Sequence, residues 1–71
     1  MPARLIGFTT DDQDLYIMPI EVNAVRLPLR NEFKPTTNTV IFAGNHKFGV
    51  CETIDVVVTR IQSALWEWYK P

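Results

Sequence analysis

Apolar and polar positions alternate along most of this chain in short runs, and the period changes once, near the C-terminal end. In "ARLIGFTT" (3–10), Ile6 and Phe8 fall on one face and Leu5 on the other, which predicts a strand. "DDQD" (11–14) is a polar turn cluster, and "LYIM" (15–18) resumes strand character, so a hairpin spans 3–18. Pro19 cannot donate to a ladder and ends or bends that strand, with "PIEV" suited to a single helical turn. "NAVRLPLR" (23–30) alternates again, with Pro28 demoting it to an edge strand or marking a bulge. "NEFKPTTN" (31–38) is the most polar stretch and reads as the longest and most mobile loop. "TVIFA" (39–43), "GNHK" (44–47) and "FGVCE" (48–52) read as strand, turn and returning strand.

From Thr53, a suitable N-cap, the period becomes helical. Ile54, Val57, Val58, Ile61, Leu65 and Trp68 recur at i, i+3, i+4, i+7, i+11 and i+14, one stripe of a helix over 54–69. The β-branched run "DVVVT" opposes this locally, because its helix propensity is poor; the length of the stripe and the continuation "IQSALWEW" decide for a helix. The expected fold class is therefore α+β: a small antiparallel sheet of four to five short strands followed by one C-terminal helix, as a single domain over 1–71.

Strict alternation sorts the strand residues into two sets. Ile6, Phe8, Val25, Leu27, Leu29, Val40, Phe42, Phe48 and Val50 are assigned to the face beneath the helix. Leu5, Tyr16, Met18, Ile41 and Cys51 point the other way, where a one-sided sheet should be polar. That surplus predicts cover by a second copy or another protein.

Composition narrows the function classes. A chain of 71 residues buries only roughly 60% of its unfolded surface, so a supplement such as self-association is expected. One cysteine excludes an intramolecular disulfide, and one His with one Cys is too few for a structural zinc site. A net charge of −1 gives no bulk attraction to nucleic acid or to an anionic membrane. No run of about 18 apolar residues spans a bilayer, and the N-terminus lacks a signal-peptide pattern, so the expected location is the cytoplasm, or host cytoplasm if phage-encoded.

Two stretches carry a family resemblance. "LYIMPIEVNAV" (15–25) resembles the Y-I-N-P-x-x-I-x-x-I segment of the small FlbD-like, or SwrD-like, proteins found beside bacterial flagellar genes, through Tyr16, Ile17, Pro19, Val22 and Val25. "TVIFAGNHKFGVCETIDVVVTRI" (39–61) is similar to that family's T-x-I-x-L-x-N-G-x-x-x-x-V-x-E-S-x-E-E-V-x-x-x-I, through Thr39, Ile41, Val50, Glu52, Thr53 and Val57. Met18 stands where the pattern has Asn, the Gly-Asn turn is one residue longer, the 26–38 connection is long, and the "WEWY" tail is foreign to it. The resemblance implies a strand-strand-helix layout and a bacterial or phage origin more than a flagellar role.

Candidate chemistry is sparse. His46 at a hairpin tip and Cys51 near the far end of a returning strand stand too far apart for a nucleophile–base pair, so neither is assigned a catalytic role. Asp11, Asp12 and Asp14 lack the Gly and the ligand spacing of a calcium loop. No cofactor, metal or catalytic residue is expected. Arg26 and Arg30 share a parity; with Arg4 and Tyr16 they offer a basic, aromatic patch for nucleic acid. Trp66 lies about 160° from the core stripe on a helical wheel, and with Tyr69 it is a natural contact anchor. The expected function is a non-enzymatic protein-binding or regulatory module, self-associating or docking a bacterial host protein through Trp66, Tyr69, Tyr16, Met18 and Ile41. A nucleic-acid-binding regulator using Arg4, Arg26 and Arg30 is the alternative.

Overall fold

The structure is a computed structural model that describes residues 5–69, with side chains as far as Glu67. It is an α+β fold of five antiparallel strands followed by one C-terminal helix, with the strands divided between two sheets rather than joined in one. β1 (Ile6–Thr9) and β2 (Asp14–Ile17) form a hairpin in which Ile6 pairs with Ile17 and Phe8 with Leu15. A 3-10 turn, Pro19–Glu21, opened by its proline, leads into β3 (Val22–Arg26). β4 (Thr39–Ala43) is the centre of the second sheet, between β3 and β5 (His46–Val50). The helix α1 runs Ile54–Tyr69, and its first bond goes from the Val57 N–H to the Thr53 carbonyl.

Two strands end elsewhere than their periodicity suggested. β3 stops at Arg26 instead of continuing to residue 30, two residues before Pro28, which has no N–H to give. Leu27 and Leu29, assigned to the core, are consequently exposed at 61% and 65%. β5 begins two residues earlier than expected because the connection is a two-residue turn, Gly44–Asn45, with Gly44 at a φ of 60° that glycine adopts freely.

The pairing across that turn also corrects the sorting of faces. An even number of turn residues pairs odd positions on β4 with even positions on β5: Thr39 with Val50, Ile41 with Phe48, Val40 with Gly49, Phe42 with Lys47. Ile41 therefore shares its face with Val25, Phe48 and Val50, and it is fully buried at the centre of the core. Val40 and Phe42 occupy the opposite face. The core joins Ile6, Phe8 and Ile17 of the hairpin to Ile41, Ala43 and Val50 of the three-stranded sheet and to Val57 and Ile61 of α1. Ile54, Val58 and Leu65 of the expected helical stripe are half-buried; the Trp68 side chain lies outside the described residues.

The opposite face of the three-stranded sheet is not left for a partner. The 27–38 connection, read from its polarity as the most mobile segment, folds back as a strap. Phe33 lies directly on Gly49, so close that a Cβ there would stand 2.7 Å from its ring. Glu32, beside it, binds the Arg26 guanidinium through both carboxylate oxygens at 2.8 and 2.6 Å and accepts from Lys47 at 2.9 Å. Its carboxylate also accepts the Leu29 N–H, while the Glu32 N–H donates to the Leu29 carbonyl across a turn that holds Asn31 at a φ of 63°. Arg26 stacks 5.2 Å from the Phe42 ring centroid, and Lys47 stands 5.5 Å from that of Phe33. Farther along, Asn38 donates to the carbonyls of Val50 and Cys51. Beneath this cover Val40 has no exposure.

Hydrogen bonds from Arg26, then Lys47 and the Leu29 N–H, hold the Glu32 carboxyl far below its usual range. A group with a depressed folded-state pKa contributes stability that is complete above its unfolded value, about 4.3, and is lost as pH falls toward the folded value. The urea midpoint is therefore expected to fall between pH 5 and pH 2, and Glu32→Gln to lower it at pH 7 and flatten that fall. An identical slope in the variant would show that Glu32 does not anchor the strap.

Candidate binding surface

The helix sets its buried stripe against both sheets, which turns another set of residues outward. At about 100° per residue, Val56, Thr59, Ser63 and Trp66 recur at i, i+3, i+7 and i+10 and form an uncharged row on the far side. Trp66 is 69% exposed and Val56 39%. Asp55, Arg60 and Glu67 flank the row.

Arg60 is fixed rather than free-swinging. Its guanidinium donates to the Gly7 carbonyl at 2.9 Å, reaches Glu52 at 3.4 Å and lies 5.7 Å from the Phe8 ring centroid. Glu52 in turn accepts the Thr9 N–H through both oxygens, at 2.9 and 3.1 Å. The Thr9 carbonyl accepts the Cys51 N–H at 2.7 Å. Side chains and a backbone bond thus occupy the edge of β1 that β2 leaves open, a protected edge rather than a site for strand addition. Burial pushes the Glu52 carboxyl up, but the Thr9 N–H and the Arg60 charge outweigh it and hold the group below its usual range.

Three depressions surround Arg60. A hollow of about 330 Å³ is lined by Asp55, Val56, Thr59 and Arg60 on the outer face of the helix. A groove of about 340 Å³ runs between Leu5 and Ile6 on one side and Thr59, Arg60, Ser63, Ala64 and Glu67 on the other. A more polar pocket of about 250 Å³ lies between Arg60 and Glu52 and the hairpin residues Thr9, Asp14 and Tyr16.

Among the residues expected to meet a partner, Trp66 stands out on this surface, and Tyr16 is 63% exposed, with its ring over Gly7. Met18 is half-buried. Ile41 is displaced from the set, because the even turn places it in the core, where nothing external reaches it. The Tyr69 side chain and Arg4 lie outside the described residues. Arg26 and Arg30 do not share a strand face: Arg26 is committed to Glu32, and Arg30 sits in the turn of the strap. Val56 and Arg60 were missed. Val56 is hidden in a β-branched run whose neighbours Val57 and Val58 belong to the core side, and only its spacing to Thr59, Ser63 and Trp66 marks it.

The other chemical candidates are engaged in structure. The His46 ring packs 6.0 Å from Phe48 at the start of β5, while the Cys51 thiol, beyond the other end, faces the Asp11 carboxylate at 3.9 Å. Burial pushes that thiol up, and the charges of Asp11 and Glu52 push it further, so it stays protonated near neutral pH. Asp11 also accepts the Thr36 hydroxyl, and Asp12 stands 4.0 Å from Lys34. No helix among the described residues is long and apolar enough to cross a membrane. Comparison with protein-family models, with curated proteins and with solved structures finds no match to this chain.

Proposed function

We propose that this chain is a small non-enzymatic protein-binding module that docks the outer face of α1, with Trp66 as its anchor, onto a protein partner. One observation carries the reading. An indole exposed at 69% sits on a row without charge, while the core and both faces of the larger sheet are already furnished by the chain itself. An amphipathic ring held on a rigid helix buries a large area at small conformational cost, which is why tryptophan recurs at the centres of interfaces. A net charge of −1 and the pairing of Arg26 with Glu32 favour a protein over a nucleic acid as the partner. The FlbD-like resemblance of residues 15–25 and 39–61 belongs to the same proposal and points to a bacterial or phage-encoded protein working in the cytoplasm.

The test is a Trp66→Ala variant, immobilised beside the unaltered chain and exposed to bacterial lysate. The expected result is loss of a captured protein, with thermal melts that agree within a few degrees because the residue is exposed. Equal capture by both chains, together with an oligomeric state that Trp66→Ala leaves unchanged, removes Trp66 from the function. A mobility shift of nucleic acid with a steep salt dependence would transfer the proposal to the basic residues instead.

A further inference from the structure

Resting on that reading, we infer that the partner of the α1 outer face is a second copy of this chain, docked with its helix antiparallel to the first. The face carries both halves of an interlock. Trp66 is the knob, and the shallow hollow of about 330 Å³ lined by Asp55, Val56, Thr59 and Arg60 is the socket. They lie on one straight element, ten residues or about 15 Å apart. A two-fold axis perpendicular to the helix, level with residue 61, brings each knob to the other copy's socket. Trp66 then meets Val56 of the second copy, and Thr59 meets Ser63. This is the self-complementarity that a closed dimer requires, because every contact occurs twice. An unrelated partner would have to supply a knob and a socket at the same spacing; a second copy already has both.

Charge agrees with the arrangement. The row itself carries none, and the two charged residues that line the socket, Asp55 and Arg60, are of opposite sign. The guanidinium of Arg60, held at the rim of the socket by Gly7 and Glu52, is placed to lie against the incoming indole face. Its charge is already partly balanced by Glu52, which lowers the repulsion between the two copies of Arg60 across the axis. Leu5, exposed along the adjoining groove, extends the apolar area. Two tryptophans, two sockets and their borders together bury about 700–900 Å², below the range of permanent dimers and within that of reversible ones. An interface of that size belongs to weak, reversible encounters, so association is followed from roughly 10 µM to 1 mM.

Sedimentation velocity over that range tests it. The unaltered chain should shift from monomer to dimer, and Trp66→Ala and Val56→Asp should each stay monomeric throughout with unchanged circular dichroism. Orientation is read by cross-linking in a Cys51→Ser background. Under mild oxidation a mixture of Thr59→Cys and Ser63→Cys chains should give mainly the mixed disulfide, whereas parallel helices would join like to like. A chain that is monomeric at 1 mM, or mainly like-to-like cross-links, overturns the inference. If that monomeric chain still captures a lysate protein through Trp66, the binding-module reading survives alone; if Trp66→Ala changes neither measurement, both fall.

Discussion

Replacing Ile41 with Ala is expected to cost about 2–5 kcal/mol of folding stability, the range for deleting a buried aliphatic side chain and leaving its cavity. A domain of this length has only about 4–10 kcal/mol in total, so the variant should be partly unfolded at physiological temperature. Urea unfolding at 25 °C checks it: the midpoint should drop steeply with little change in slope. The magnitude follows from position. Ile41 has no exposure, lies on the central strand of the three-stranded sheet, and pairs with Val25 on one side and Phe48 on the other. Were it on a partner-facing surface, as alternation alone suggested, the same change would move stability by no more than about 0.5 kcal/mol. Trp66→Ala serves as the internal control, because its ring is exposed and its loss should leave the midpoint nearly unchanged.

The contrast between Ile41 and Trp66 shows which signals in the sequence are reliable. Helical spacing is local, and it placed both the bounds of α1 and the outward direction of Trp66 correctly. Strand identity is local too, and β4 falls on the residues its pattern marked. Facing is different, because it depends on how many residues the turn uses, and a change of one reverses every side chain. The β4–β5 turn is even whether it uses the four residues expected or the two found, so it pairs odd positions of β4 with even positions of β5. That seats Ile41 with Phe48 and Val50, a pairing that alternation within each strand does not supply. The division into two sheets depends on contacts between segments far apart in the chain, such as Thr9 with Cys51 and Glu52, for which periodicity has no register. Pro28 was a legible stop signal, and the exposure of Leu27 and Leu29 shows that it outweighs alternation. The socket beside Val56 was the least legible feature. It is a gap between side chains rather than a property of any one residue.

Gly49 holds a signal that periodicity passes over, and its substitution has an outcome whose sign is diagnostic. A glycine within a strand often marks the close approach of another group. Here the group is Phe33, the one aromatic in a polar loop, whose ring stands within 2.7 Å of where a Cβ would be. On an uncovered strand face, Gly49→Val would add a β-branched residue with good strand propensity and raise stability by up to about 1 kcal/mol. Under the strap it should lower stability by about 1–3 kcal/mol, because the new methyl groups must expel the ring. The ring has little freedom to withdraw, since the adjacent Glu32 is tied to Arg26, Lys47 and the Leu29 N–H. In a Phe33→Ala background the obstruction is gone, so Gly49→Val should become neutral or stabilising. A double-mutant cycle by urea unfolding reads the difference as a coupling of about 1–3 kcal/mol. Additive effects of the two substitutions would mean that the loop does not rest on the sheet. Val40 and Phe42 would then lie uncovered, and the second face of the sheet would become a candidate interface as large as the helix row.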